Sequence, residues 1–310
     1  MGRHVAGEKP ELDRLVDGAC AEIGREIDAL CIKNLAGVVL GGGYGRGEGG
    51  AIGNSLSNDL DFFAIACESA SEAATAPIAV ALQPISEKWT AKLGIDVDFT
   101  VKTPWRIRHD QERLMIQELL RGHCDVAGKG GAELFAGVEM IDAAKLPWME
   151  AARLLMNRGI GLVLARESGD AAFAARNVNK CILGAGDARL IARHAYAWRA
   201  ADRATALGDA LYSAAVEWKF RPRGEAVCDW EAARGAWLDA LGEVNGASGG
   251  QAKRRTLRQA ARWIARRRTL GDLRTLGLDP VVRILRGVEQ MVRERTAFPG
   301  SLREDWKIFN

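Results

Sequence analysis

Two aspartates separated by one residue, Asp59 and Asp61, lie at the start of an apolar run that continues through Phe62, Phe63 and Ile65. Side chains alternate between the two faces of a strand, so both carboxylates are predicted to point the same way. Two like charges side by side are unfavourable unless a cation lies between them. The pattern therefore predicts a divalent metal site at these carboxylates.

A second acidic run, residues 94–101, has the pattern of another strand, and it places Asp96 and Asp98 on one face. If this strand pairs beside residues 59–66, three or four carboxylates converge. Mg²⁺ binds a few carboxylates together with water and substrate phosphate oxygens. Two such ions, ~3.5–4 Å apart, can hold the attacking and leaving oxygens of a phosphoryl transfer. The residues alone do not decide whether Asp96 or Asp98 is the third carboxylate.

A glycine-rich loop, residues 41–50, directly follows the apolar run 37–40. Glycines permit left-handed dihedrals and close backbone approach, so successive amides of such a loop can bind an anion. Arg46 is placed to neutralise a phosphate oxygen. The additional stretch 49–55, before the aspartate pair, is expected to form a flexible loop near the nucleotide. Together the loop and the carboxylates predict a site for a metal-bound phosphate.

Gly42-Gly43, Asp59-x-Asp61 and Asp98 on a later strand resemble the three-part motif of the DNA polymerase β-type nucleotidyltransferase superfamily. The string Gly-Gly-Tyr-Gly-Arg-Gly-Glu in the glycine loop also resembles the nucleotidyltransferase domain of the PII-protein uridylyltransferases. The resemblance covers roughly residues 36–130.

The resemblance implies a small mixed sheet with helices on one side, an NTP substrate and Mg²⁺. By position, Gly42 and Gly43 would hold the NTP phosphates, and Asp59 and Asp61 would bind the metal ions. Asp98 would bind the catalytic metal and help to deprotonate an acceptor hydroxyl. Arg46 would contact a phosphate.

Periodicity predicts the elements that position these residues. In the first part of the chain it predicts helices at 10–34, 69–93 (interrupted at Pro77 and Pro84) and 110–120, with strands at 37–41, 59–66, 95–101 and 123–127. Beyond Pro147 it predicts helices at 147–167, 171–205, 208–219, 230–245, 252–269 and 280–296. We therefore predict an α+β protein with a polymerase-β-like nucleotidyltransferase core over residues 1–142. An all-helical domain over residues 143–310 would complete the cleft and bind the acceptor.

The composition, with 48% hydrophobic and 27% charged residues, is typical of a globular protein. Residues 253–295 contain thirteen Lys or Arg and four acids, a basic stretch whose role the sequence leaves open. The six cysteines are scattered without a C-x-x-C pair, as expected for free thiols in a reducing compartment. No apolar run is long enough for a membrane span, so we expect a cytoplasmic protein without a membrane partner.

Three functions fit these residues to different degrees. The favoured one is an enzyme that moves an NMP group from an NTP to a hydroxyl of a small molecule, a protein or an RNA. A nucleotide sensor or antitoxin-like module on the same fold is the first alternative. A dinucleotide-binding oxidoreductase is the second, because Gly45-x-Gly47-x-x-Gly50 fits G-x-G-x-x-G, although that fingerprint requires a helix to begin in the loop. The base, the acceptor and the oligomeric state stay open.

Overall fold

The computed structural model describes residues 3–247 and 280–309 of the 310-residue chain. Its internal contacts divide the chain into two compact units. The first comprises the described residues of Met1–Asp142 together with Lys219–Pro222, and the second those of Ala143–Trp218 and Arg223–Asn310. The helix predicted at 252–269 and most of the basic stretch 253–295 lie outside the described residues.

The first unit is a mixed α+β structure, in agreement with the predicted class. Its strands are β1 (Leu35–Leu40), β2 (Ala51–Ile52), β3 (Ser55–Leu56), β4 (Leu60–Ala66), β5 (Val97–Lys102) and β6 (Cys124–Gly128). Its helices are α1 (Pro10–Ala29), α2 (Gly42–Gly45), α3 (Thr75–Leu93), α4 (Pro104–His109), α5 (Leu114–Arg121) and α6 (Gly131–Leu134). The four longer strands lie where alternation and apolar runs predicted them, within two residues at each end.

These four strands form one mixed sheet in the order β5-β4-β1-β6. The central strand β1 pairs antiparallel with both β4 and β6. Strand β5 pairs parallel with β4, and this pairing places Asp61 opposite Asp98. The parallel register therefore brings two of the predicted site residues onto neighbouring strands at the same level.

Helices cover both faces of this sheet, whereas the superfamily resemblance implied helices on one side. Phe62 and its even-numbered neighbours in β4 pack in a core with α1 and α3. Phe63 and Ile65 pack instead with residues of α4, α5 and α6. Strand β4 is apolar on both faces, so each face gains stability only if it is covered.

Local signals at two helices were misread from the sequence. Helix α3 runs without interruption through Pro84 and begins at Thr75, so Pro77 falls in the first turn, where proline is tolerated. The helix predicted at 110–120 is present as α5, which begins four residues later, and the preceding helix α4 was not predicted. Thr103 begins α4 by accepting a hydrogen bond from Arg106 N at 3.1 Å, with Pro104 at the first helical position.

The described part of the second unit contains helices and no strand. The helices are α7 (Trp148–Glu167), α8 (Ala171–Ala192), α9 (Ala200–Leu207), α10 (Ala210–Phe220, whose last two residues belong to the first unit), α11 (Trp230–Ala247), α12 (Pro280–Glu294) and α13 (Gly300–Phe309). The stretch predicted as one helix over 171–205 is divided, because α8 ends at Ala192 and His194 adopts a left-handed φ of 56°. Trp237 is fully buried and donates to Leu155 O at 2.9 Å, which makes it a core residue.

All six cysteines lie within the described residues and are free thiols, although only Cys20 and Cys181 are buried. Across residues 3–247 and 280–309, no helix has the length and apolar character needed to cross a bilayer.

Candidate active site

A glycine turn packs against one of the predicted metal ligands. Strand β1 ends at Leu40, and the chain makes the single helical turn α2, in which Gly42 has a left-handed φ of 61°. Gly41 N donates to Asp61 O at 2.8 Å. A Cβ atom on Gly42 would lie only 2.0 Å from Asp61 Oδ2, so only glycine leaves room for this carboxylate. Gly43 follows in the same turn, half-buried.

The structure also brings Asp59 and Asp98 into electrostatic contact. Although the Asp98 side chain is exposed, partial desolvation is the main cause that raises its pKa, and the negative charges of Asp59 and Asp96 raise it further. Asp98 lies opposite Asp61 in the β4–β5 register. Asp98 is therefore repelled by the negative charges of Asp59 and Asp96, a repulsion that a bound cation would relieve.

Among the described residues, no three Asp, Glu, His or Cys side chains form a ready-made metal-binding group. The prediction of Mg²⁺ binding therefore depends on the chemistry of the predicted ligands. Hard carboxylate oxygens from two adjacent strands suit Mg²⁺, which typically takes one or two carboxylates and completes its shell with water and phosphate oxygens. This chemistry fits Asp59, Asp61 and Asp98 and does not require a preformed cage.

The sequence left open whether Asp96 or Asp98 is the third carboxylate, and the structure places these two residues differently. Asp96 precedes β5, and its backbone carbonyl accepts a hydrogen bond from Leu60 N at 2.9 Å. Asp98 lies within β5, directly opposite Asp61. The register therefore favours Asp98, with Asp96 as a neighbouring negative charge.

Arg46, predicted to contact a phosphate, forms ion pairs within the protein. Its guanidinium lies 3.1 Å from Glu118 Oε2 and 3.9 Å from the buried Glu48, and its side chain is only 16% exposed. It also lies against Gly122, where a Cβ atom would approach Arg46 Cγ at 2.5 Å. These contacts give Arg46 a structural role in joining the glycine loop to α5, and its phosphate contact stays a prediction.

The stretch expected to be a flexible loop is a short β-hairpin. Ala51–Ile52 and Ser55–Leu56 pair antiparallel, and Gly53 turns between them with a φ of 57°. The Gly-Asn pair at the tip is suited to a two-residue turn. A hairpin follows Gly50 at the point where a dinucleotide-binding fingerprint would require a helix, which contradicts the oxidoreductase alternative.

Residues near the N-terminus hold the glycine loop, a feature the sequence did not reveal. His4 is 1% exposed, and its ring contacts Asp17 Oδ1 at 2.9 Å, Tyr44 O at 3.2 Å and Cys124 Sγ at 4.0 Å. Burial opposes the charged form, but hydrogen bonds to Cys124, Asp17 and the Tyr44 carbonyl outweigh it and raise the pKa of His4 to about 9. Gly49 N donates to His4 O at 3.0 Å. The charged form of the His4 ring is therefore favoured at neutral pH, beside the glycine loop.

Asp13 of α1 fixes this N-terminal segment. Its carboxylate accepts hydrogen bonds from the backbone N–H groups of Arg3, His4 and Val5 at 2.9–3.0 Å. These bonds lower the pKa of Asp13 against the opposing effect of its partial burial. No periodic pattern marks residues 3–5, so only the fold places them beside the loop.

Known proteins give little direct guidance. No known protein family and no curated protein matches the sequence. Among solved structures, the spectinomycin adenyltransferase AAD(9) from Enterococcus faecialis, solved with ATP and spectinomycin, is similar at 13% identity and a TM-score of 0.38. The match covers 73% of this chain and 98% of that chain. A likeness at this TM-score does not establish a shared fold.

Proposed function

We propose that the protein is a Mg²⁺-dependent nucleotidyltransferase that transfers an NMP group from an NTP to an acceptor hydroxyl and releases pyrophosphate. One observation carries the proposal: the glycine turn is built around Asp61, and Asp61 lies in register with Asp98 on the neighbouring parallel strand. The motif resemblance of Gly42-Gly43, Asp59-x-Asp61 and Asp98 supports the same chemistry.

In this proposal the glycine turn binds the triphosphate. The first N–H groups of a helical turn have no partner within it, so the amides of Gly42 and Gly43 are suited to phosphate oxygens. Asp59, Asp61 and Asp98 would hold Mg²⁺, which when bound neutralises the charge of the triphosphate and the leaving group. The turn and the carboxylates thus position the α-phosphate, and positioning supplies most of the rate enhancement.

Asp98 is also suited to accept a proton. The superfamily resemblance assigns a carboxylate at this position to the acceptor hydroxyl, where it could act as a general base. The acceptor oxygen would attack the α-phosphorus, the bond from that phosphorus to the bridging oxygen would break, and pyrophosphate would leave. The hydroxyl proton would pass to the Asp98 carboxylate.

The acceptor belongs to a small-molecule, protein or RNA class, and we assign its binding to the helical second unit by analogy with the superfamily. The free cysteines and the use of an NTP favour the cytoplasm. Incubation with each NTP labelled on its α-phosphate, Mg²⁺ and a cell extract tests the activity, and the size of the labelled product identifies the acceptor class.

The decisive variants are Asp61→Asn and Asp98→Asn, each of which should reduce label transfer about 10²–10³-fold, the range of losses on removing a key charge-stabilising group. Asp239→Asn, at an exposed carboxylate of α11, is the matched control and should transfer at the wild-type rate. Removal of divalent metal with EDTA should abolish transfer, and added Mg²⁺ should restore it. Full activity in metal-free buffer would refute the proposal.

A further inference from the structure

Tyr44 joins the glycine turn to the segment that carries Asp59. It lies in the helical turn α2 and is 1% exposed. Its hydroxyl donates to Gly50 O at 2.7 Å and accepts from Ser57 N at 3.1 Å and from Asn58 N at 3.3 Å. One buried oxygen therefore connects three backbone groups that lie 6 to 14 residues further along the chain.

These backbone groups form the base of the β2–β3 hairpin. Ser57 N also donates to Gly50 O at 3.2 Å, and Gly50 N donates to Asn58 Oδ1 at 2.5 Å. A Cβ atom on Gly50 would lie 2.5 Å from Asn58 Oδ1, so the two ends of the hairpin are in close contact. The base is a closed hydrogen-bond network with the Tyr44 hydroxyl at its centre, and such networks hold one geometry.

Asp59 follows Asn58 directly and lies outside β4, so the β4 ladder does not fix it. The negative charge of Asp59 is close enough to raise the pKa of Tyr44, although burial is the larger cause. Gly42, two residues before Tyr44, is the residue that packs on Asp61. Tyr44 is thus bonded to the backbone beside one predicted metal ligand, and it follows by two residues the glycine that packs on the other.

We propose that Tyr44 is a positioning residue, which sets the Asp59 carboxylate at its metal-binding distance from Asp61 and the glycine turn. The metal-dependent consequence rests on the proposed function. Tyr44 does not itself touch the substrate in this proposal. Loss of groups that orient metal ligands typically weakens metal affinity or activity by 10–100-fold.

Tyr44→Phe tests this inference because it retains the ring and removes only the hydroxyl. Mn²⁺ titration monitored by electron paramagnetic resonance measures divalent-metal affinity without a nucleotide or an acceptor. We expect Tyr44→Phe to weaken Mn²⁺ binding about tenfold or more. In the label-transfer assay the same variant should raise the Mg²⁺ concentration needed for half-maximal rate by a similar factor.

Tyr212→Phe is the matched control. Tyr212 is also buried, and its hydroxyl donates to Asp187 Oδ1 at 2.5 Å and accepts from Arg203 Nε at 3.1 Å in the second unit. It loses the same hydroxyl but should keep wild-type Mn²⁺ affinity. If Tyr44→Phe does not fold, Asn58→Ala, which removes the bond to Gly50 N, should show the same weakening.

The outcomes separate the two proposals. Mn²⁺ affinity unchanged in a folded Tyr44→Phe protein, or reduced equally in Tyr212→Phe, would overturn the positioning role even if the wild type transfers label. Weakened Mn²⁺ binding in a protein that transfers no label would support the positioning role and contradict the proposed function. A wild-type protein that binds no Mn²⁺ would overturn both.

Discussion

Replacement of Gly42 by alanine tests the contact on which the proposed site depends. The position combines a left-handed φ of 61° with a Cβ atom that would lie 2.0 Å from Asp61 Oδ2. The first feature costs a non-glycine residue about 1 kcal/mol. The second is a steric clash with a carboxylate, and overpacking of this kind typically costs about 1–3 kcal/mol. Gly42→Ala should therefore lower the free energy of unfolding by about 2–4 kcal/mol.

A variant at Gly53 distinguishes the cost of the left-handed backbone from the cost of the steric clash. It has nearly the same dihedral, φ 57°, at the tip of the hairpin, but a Cβ atom there would have nothing within 4 Å. Gly53→Ala should therefore cost only about 1 kcal/mol. Urea unfolding of both variants measures the difference, which is the contribution of the Asp61 contact.

The same clash should affect activity. Real Cβ atoms essentially never approach closer than 3.0 Å, so a contact at 2.0 Å must open by at least about 1 Å. A displacement of about 1 Å at a reacting centre can reduce a rate about 100-fold. We expect a loss of this size in label transfer for Gly42→Ala and wild-type transfer for Gly53→Ala.

A double-mutant cycle completes the test. In an Asp61→Ala background the carboxylate contact at 2.0 Å is absent and only the Cβ atom of residue 61, at 2.9 Å, stays close, so Gly42→Ala should cost less than in the wild type, with a coupling energy of about 1–3 kcal/mol. Equal costs of Gly42→Ala in the two backgrounds, or equal costs of the two glycine variants, would refute the packing of Gly42 on Asp61.

Three other predictions concern charge. Because the pKa of His4 is raised from 6.5 to about 9, its stabilisation is complete below pH 6.5 and is lost as the pH rises through 9. Over that pH range the free energy of unfolding of the wild type, measured in urea, should fall by about 1–2 kcal/mol relative to that of His4→Gln. This value includes a reduction for partial solvent screening. Asp98→Asn should raise the thermal midpoint in metal-free buffer, because it removes a negative charge that Asp59 and Asp96 repel, and in buffer with Mg²⁺ it should reduce label transfer. Arg46→Ala should lower the free energy of unfolding by about 2 kcal/mol, because it removes one charged hydrogen bond to the largely buried Glu118.

Each of these predictions has an outcome that contradicts it. A His4→Gln variant with the same pH profile as the wild type would show that the imidazolium contributes no stability. An Asp98→Asn protein less stable than the wild type would show that the carboxylate is satisfied by partners and not repelled by its neighbours. If Arg46→Ala keeps full stability but loses NTP affinity, the phosphate contact predicted from the sequence is the correct role.

The sequence determined the elements whose signals are local. The apolar runs around residues 37–40 and 59–66, the periodicity of α1 and the aspartates spaced by one residue are all encoded within a few neighbours, and the structure has strands and helices there. The glycine loop was also correctly placed between a strand and the aspartate pair. Short-range backbone preferences and side-chain alternation suffice for such features.

Features that depend on distant partners were not determined in this way. The hairpin at 51–56 replaces an expected flexible loop because the buried Tyr44 hydroxyl and Asn58 close its base. The ion pair of Arg46 depends on Glu118, which lies 72 residues later in the sequence.

The sequence by itself therefore indicated which residues are candidates for the chemistry, and the tertiary structure decided how those residues are arranged. The parallel pairing of β4 with β5 sets Asp61 opposite Asp98, and a shift of one residue would move one of them to the other face of the sheet. That register is fixed by packing of both sheet faces against helices from separate parts of the chain. No local pattern contains this information, because the contacts that select it join residues far apart in the sequence.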